Sequence, residues 1–298
     1  MTTDAQGLTV VTGAESDPAR RRRKRFLGIG AHVLLIAASI VMLYPLLWLL
    51  SASLKPEDQI FTSGIWPTLD WSIDSYFRGW NGLRTSFSVF FMNSFVIAAL
   101  SVVGNLIACS MAAYAFARLR FKGRNFWFAM MLMTLMLPSQ VTLIPQYVLF
   151  RDLGWINTVL PLVVPKFLAV DAFFIFLMVQ FFRGIPRELD EAAMMDGCSA
   201  WRIFYKIMLP LSMPVLVTVA IFTFIWTWDD FFAPLIYLNR MQDYTVMLGL
   251  RTFVDSTGES DYGGLFAMSV LSIVPIFLFF LFFQRLLIEG IATTGMKR

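Results

Sequence analysis

Residues 186–210 read PRELDEAAMMDGCSAWRIFYKIMLP and lie between two long apolar segments. Pro186 suits the first turn of a helix, and Glu188, Asp190 and Glu191 put negative charge where the helix dipole favours it. Gly197 supplies a stop, and Ser199 can cap a second short helix. In that helix Trp201, Phe204, Tyr205 and Met208 recur at three and four residues, which predicts a single apolar stripe. Pro210 marks the next helix start. The stretch therefore predicts two short helices joined by a tight turn and lying on a membrane surface. Small Ala192 and Ala193 permit close backbone approach, and Glu191 sits at the tip. Such a knob is a docking element and not a catalytic cleft.

The remainder of the chain supplies the membrane. Of its 298 residues 58% are hydrophobic, 16% aromatic and 15% charged, and the mean hydropathy is +0.68. That composition excludes a water-soluble globule. Several apolar runs approach or exceed the roughly 20 residues that cross a bilayer as a helix. The net charge of +4 does not point to nucleic acid, because the cations flank apolar segments and form no aromatic-interleaved patch. Cys109 lies in an apolar run and Cys198 in the polar island, so no disulfide framework is implied. The lone His32 excludes a His-rich metal site.

Taken in order, residues 1 to about 19 are polar and are expected to be disordered, and with the basic run Arg20–Arg25 they make a cytoplasmic tail over 1–25. The run abuts an apolar first span, about Phe26–Leu50, too long and too poor in cleavage-site residues for a removed signal. Ser51–Ser88 is outside, and its Trp66, Trp71, Tyr76 and Trp80 suit the interface. Further spans are expected at about Val89–Phe116, Asn125–Phe150 (kinked by Pro138 and Pro145), Val159–Phe182, Leu211–Leu238 and Leu265–Phe283. Arg118, Arg120, Lys122 and Arg124 mark an inside loop, whereas Asp243, Asp255, Glu259 and Asp261 make 239–264 an acidic outside segment. The positive-inside rule then predicts an all-α integral membrane protein with six transmembrane helices over 26–286 and both termini cytoplasmic, including a tail at 287–298.

No GxxxxGK[ST], HExxH, GxSxG or Cys/His cluster occurs, so the chain carries no ATPase, protease or metal motif of its own and no cofactor is implied. Three acids lie at membrane depth, Asp171 in the fourth span and Asp229 and Asp230 in the fifth. A carboxylate facing lipid costs about 3 kcal/mol on insertion scales and more on simulation scales. They are expected to face the protein interior, either fixing helix packing or lining a translocation path.

In the island, Glu191-Ala192-Ala193, Gly197, Ile207, Leu209 and Pro210 fall at the spacing of the EAA loop of ABC-importer permeases. Ser53-Leu54-Lys55, Asn93-Ser94, Ala112-Ala113-Tyr114-Ala115 with Arg118, and Gly290-Ile291-Ala292 extend the resemblance to the carbohydrate-uptake branch, whose smaller maltose-transporter permease the chain is similar to. Two stretches depart from that branch: Trp228-Asp229-Asp230 stands where Trp-Asn-acid is usual, and the tail ends GIATTGMKR. The resemblance implies a permease in the cytoplasmic (inner) membrane that moves a sugar or oligosaccharide by alternating access and hydrolyses no ATP itself. Its implied partners are a second homologous permease, two cytoplasmic ATP-binding subunits and an extracellular solute-binding protein. The implied coupling residues are Glu191, Ala192, Ala193, Asp196, Gly197, Ile207, Leu209 and Pro210, on a coupling helix between the fourth and fifth spans. Import of another small solute such as glycerol phosphate, and an ion-coupled transporter using the three acids, are the alternatives at this level.

Overall fold

The computed structural model describes residues 18–64, 71–254 and 260–295, with side chains described outside 18–28, 139 and 285–295. In chain order the helices are α1 (Pro18–Ser53), α2 (Asp74–Asn81), α3 (Phe87–Arg118), α4 (Arg124–Thr134), α5 (Ser139–Asp152), α6 (Leu160–Val163), α7 (Ala172–Gly184), α8 (Glu188–Met195), α9 (Ala200–Ile203), α10 (Leu209–Leu211), α11 (Met213–Trp228), α12 (Phe232–Tyr237), α13 (Val246–Arg251) and α14 (Tyr262–Gly295). No strand occurs among the described residues. Four helical runs are long and apolar enough to cross a bilayer: Ile29–Ser53, Phe87–Arg118, Leu160–Gly184 and Tyr262–Gln284. A fifth arises if Ala200–Leu211 and Met213–Trp228, bent by 77° at Ser212, are taken together.

Residues 1–51 and 52–298 form two compact units. The described part of the first is α1, whose Ile29–Ser53 portion contains no Asp, Glu, Lys or Arg. A helix without a charged face suits hydrocarbon as its solvent. Because α1 begins at Pro18, the Arg20–Arg25 run is helical and not part of an unstructured tail. Arg and Lys are good helix formers, and an adjoining long helix spares them the cost of nucleation. Residues 1–17, the rest of that expected tail, lie outside the described residues, as do Trp66, Asp255 and Glu259.

The second unit is built around α3, against which α7 and α11 pack along much of its length, with α14 on α11 and α2 on α14. Small residues on α3 allow this close approach. One core joins its Cys109, Ala113 and Ala117 to Phe174, Met178 and Phe182 of α7 and to Val215 and Val219 of α11. A second core joins Phe87, Phe90 and Ala98 to Phe224, Trp228, Ala267 and Met268. At the expected outer end, the Asn93 Nδ2 donates to the carbonyls of Gln242 and Tyr244 at 2.9 and 3.0 Å, and the Ser94 Oγ accepts the Val246 N–H at 2.8 Å. The Lys55 Nζ, 1% exposed, donates to the Gly64 carbonyl at 2.5 Å. These motif residues therefore tie the loops beyond the spans to helix ends.

Three spans differ from the sequence expectation. The third is two helices, α4 of 11 residues and α5 of 14, separated at 135–138. At 1.5 Å per residue they are about 17 and 21 Å long, short of the ~30 Å hydrocarbon core. Pro138 lacks an N–H and disfavours a helical residue before it, so it breaks the helix where a kink was expected; Pro145 stays inside α5. The fourth span is interrupted by a 3-10 turn at Val164–Leu168 and by Ala169 in the left-handed region, φ 54°. In the fifth, Pro210 opens only the short α10, and the long helix runs from Met213, with Pro214 in its first turn, to Trp228. The ring of Pro214 blocks the carbonyl four residues earlier and forces the bend at Ser212.

The fourth span's 3-10 turn rests on Gly104 of α3. A Cβ there would lie 2.8 Å from Phe167 Cδ2 and 3.1 Å from the Lys166 carbonyl carbon. Gly104→Val is expected to push the turn off α3 and cost about 1–3 kcal/mol, seen as a lowered thermal unfolding midpoint in detergent; an unchanged midpoint would show that the contact is not tight.

Candidate functional site

The island's geometry follows from its glycine. Gly197 has φ +75°, the Cys198 N–H donates to the Ala193 carbonyl at 2.9 Å, and the Gly197 N–H donates to the Met194 carbonyl at 3.0 Å. These are the two bonds of a Schellman motif, which ends α8 and reverses the chain. No atom lies within 4 Å of a Cβ built at Gly197, so the need for glycine is conformational and not steric. The Ser199 Oγ accepts the Arg202 N–H at 3.3 Å and caps α9. The chain then passes through a π turn, Phe204–Met208, into α10.

Glu191, Ala192, Asp196 and Gly197 are exposed, as is Pro210, whereas Ala193 is buried and Ile207 and Leu209 are half-buried against the core. The expected single stripe is divided: Phe204 and Met208 are buried with Ile203, while Trp201 and Tyr205 are exposed. A π turn carries more residues per turn than an α-helix, so the three-and-four spacing no longer keeps one face.

Two side chains of α3 fasten the island. The Arg118 side chain is 4% exposed. Its Nη2 donates to the carbonyls of Phe182 and Ile185 at 2.6 and 2.7 Å, and its Nη1 lies 3.3 Å from the Asp190 carboxylate. One guanidinium thus satisfies carbonyls at the open C-terminal end of α7 and holds the first turn of α8. Burial pushes the Asp190 carboxyl above the usual carboxylate range, with Arg118 and Arg187 pulling the other way. The Tyr114 hydroxyl donates to the Ala200 carbonyl at 3.1 Å and fixes the start of α9.

The three acids do different things: Asp171 lies within the fourth span, whereas Asp229 and Asp230 follow the end of α11 at Trp228 and do not lie in the middle of a span running on to Leu238. The Asp171 Oδ2 accepts from Lys166 Nζ at 2.9 Å and from Asn105 Nδ2 at 2.7 Å, and that same Nδ2 lies 3.1 Å from Thr223 Oγ1. This cluster joins α3, the break in the fourth span, and α11. The Asp230 Oδ1 accepts the N–H groups of Phe232 and Ala233 at 3.0 and 3.2 Å and so caps α12. Asp229 is exposed; its N–H donates to the Ile225 carbonyl at 3.0 Å, and its carboxylate makes no hydrogen bond or ion pair among the described residues. The three acids therefore differ in their hydrogen-bond partners among the described residues.

Sequence reading missed Asn105, Thr223 and Lys166 as partners of Asp171, and Arg118 and Asp190 as the island's fastening. The available signals were an Asn inside an apolar run, a Lys five residues from an Asp at membrane depth, and an Arg ending a span. Arg118→Ala takes away the side-chain donor of the Ile185 carbonyl and of the buried Asp190 carboxylate, while the Phe182 carbonyl keeps the Ile185 N–H; it is expected to cost about 3–5 kcal/mol, whereas Arg118→Lys recovers part of it. Thermal unfolding in detergent reads the difference, and equal midpoints for wild type and Arg118→Ala would remove the fastening role.

Comparison with known proteins agrees with this architecture. The family model of the binding-protein-dependent transport system inner membrane component matches residues 104–292. The arabinooligosaccharides transport system permease protein AraQ of Halalkalibacterium halodurans is 37% identical over 262 residues, 87% of this chain and 92% of the relative. The trehalose/maltose transport system permease protein MalG of Thermococcus litoralis is 31% identical over 271 residues, 89% of this chain and 97% of the relative. A chain in the crystal structure of a bacterial ABC transporter involved in the import of the acidic polysaccharide alginate superposes with a TM-score of 0.78 at 25% identity, covering 89% of this chain and 97% of that one. The protein thus belongs to the family of binding-protein-dependent transport system inner membrane components and is a multi-pass protein of that membrane.

Proposed function

We propose that the chain is the permease subunit of an ATP-driven importer that takes up a sugar or oligosaccharide by alternating access. The relatives named for oligosaccharides and for trehalose and maltose, matched over nearly their whole length, support the substrate class. In this reading it crosses the membrane six times with both termini cytoplasmic, α4 and α5 together making the third, broken span. Its partners are a second permease of the same family, two ATP-binding subunits on the cytoplasmic side and an extracellular solute-binding protein.

The observation that carries the coupling role is the build of the island, whose exposed tip is fastened from beneath. Glu191 and Ala192 face outward beside Asp196 and the Gly197 turn, while Ala193, Ile207 and Leu209 seat the knob on the core and Pro210 leads into the bend before α11. A push by a closing ATPase on this tip passes through Arg118 and Tyr114 into α3. The same helix carries Asn105, 13 residues or about 20 Å away, into the Asp171 cluster. A rigid helix joining the two sites is the element that relates hydrolysis to the path.

Glu191→Ala is expected to reduce ATP hydrolysis stimulated by the loaded binding protein at least tenfold in proteoliposomes, and Gly197→Val to do the same by forcing a β-branched residue into the left-handed region. Both variants at wild-type stimulation would remove the docking role.

Among the acids, Asp229 is proposed to line the path and accept hydrogen bonds from passing hydroxyls, because its residue is exposed and its carboxylate has no hydrogen-bond partner among the described residues. Asp171 and Asp230 have packing and capping tasks that support a structural role. Asp229→Asn is expected to raise the transport KM by about three- to tenfold, consistent with exchanging a charge-assisted hydrogen bond for a neutral one, a difference of about 1 kcal/mol, with assembly unchanged. An unaltered KM and rate for Asp229→Asn would place the path elsewhere.

A further inference from the structure

Beside the island, the loop between α3 and α4 and the turn before α8 enclose an open cleft of about 560 Å³, lined by Arg120, Arg124 and Arg187 together with Phe121 and Phe126. The other two arginines of this region are held within the protein: Arg118 by Asp190 and two carbonyls, and Arg183 over the Phe128 ring at 5.1 Å. None of the three lining arginines is in an ion pair among the described residues. Among the described residues the Arg124 side chain donates only to the Leu119 carbonyl, at 3.4 Å. No acidic residue lines the cleft. Three guanidiniums around one concavity repel one another, and an anion in the cleft turns that repulsion into attraction.

Two further features narrow the anion. The cleft lies at the N-terminus of α4, an 11-residue helix begun by Gly123 at φ +78° with no side-chain cap. Backbone N–H groups and the helix dipole at that position favour an oxyanion such as a phosphate. Beyond it, α4 presents an apolar flank, with Phe126 and Trp127 at the cleft's rim 61% and 58% exposed and Met130 and Met133 one and two turns further on, also exposed. An aromatic rim between a basic cleft and an apolar stripe is the pattern of a membrane interface.

We propose that Arg120, Arg124 and Arg187 bind the phosphate headgroup of an anionic phospholipid, with the acyl chains lying along α4. Each guanidinium presents parallel N–H donors suited to a phosphodiester. The apolar flank favours a lipid over a soluble phosphate or an acidic protein surface. The assignment rests on the permease reading to the extent that it puts this loop at the cytoplasmic face. Through Arg187, which immediately precedes α8, the bound lipid steadies the base of the island.

The test uses the assembled importer in nanodiscs of equal phosphatidylglycerol and phosphatidylcholine, then released into detergent, with retained lipid identified by native mass spectrometry. Wild type is expected to retain phosphatidylglycerol preferentially. The combined Arg120→Gln, Arg124→Gln and Arg187→Gln variant is expected to lose affinity on the order of a hundredfold. The corresponding Arg→Lys triple variant, which preserves charge, is expected to keep most of it and decides the matter if the Gln variant does not assemble. Millimolar inorganic phosphate is expected not to displace the lipid. Equal retention of both lipids by wild type, or unchanged retention in the Gln variant, overturns the proposal. Occupancy by inorganic phosphate without retained lipid, or loss of the ATP-binding subunits with lipid retention unchanged, overturns it in favour of a soluble anion or a protein contact. Sugar uptake by the wild-type complex is measured in parallel: uptake without lipid preference removes only the lipid site, and lipid preference without uptake removes only the permease reading.

Discussion

The guanidinium of Arg118 is the interaction on which the island end of the bundle depends. It lies where α7 ends, the chain turns and α8 begins, a place with orphan carbonyls and one buried acid. A single group with donors directed to both sides closes the helix end and holds Asp190. A lysine in its place has one point charge and no planar fork. With Tyr114 one turn earlier on α3 holding Ala200, the two short island helices have a fixed base although their outer faces are bare. In the proposed coupling role, the knob must be stiff where it joins the bundle and open where it meets its partner, and this arrangement fits both needs.

Deeper in the bundle a different constraint operates. Hydrocarbon offers no water to a charge, so Lys166 and Asp171 are tolerated together and supported by Asn105. Residues five apart in a continuous helix point about 140° away from each other. The 3-10 turn and the left-handed Ala169 between them alter that geometry and bring ammonium and carboxylate to 2.9 Å. A non-glycine residue in that region costs about 1–2 kcal/mol, which the ion pair and the seat on Gly104 offset. The same break leaves backbone irregularity inside a span, a feature tolerated where neighbouring helices supply partners.

Much of the architecture was legible in the amino-acid pattern. Long runs without charge located α1, α3 and α14. Gly197 followed by Ser199 located the reversal between α8 and α9, because a left-handed C′ residue and an N-cap are local requirements. Prolines were harder to read. Pro138 breaks one expected span while Pro145 remains inside α5, and Pro210 and Pro214 open two separate helices where one start was expected. A proline states that a hydrogen bond is missing, but whether the helix bends, breaks or continues depends on what lies beside it.

The sequence by itself determined that the chain is a helical membrane protein, where its polar island lies, and which glycine turns it, since solvent preference and backbone freedom belong to individual residues and short windows. Only the tertiary structure decided which charges are spent and which are free. Asp190 is held by an arginine 72 positions away, Asp171 by an asparagine 66 away, and Asp230 by N–H groups of the helix it begins, while Asp229 beside it is left exposed. A carboxylate's role follows from the groups within about 3 Å of its oxygens, and those groups come from helices whose contact is set by packing across the whole bundle.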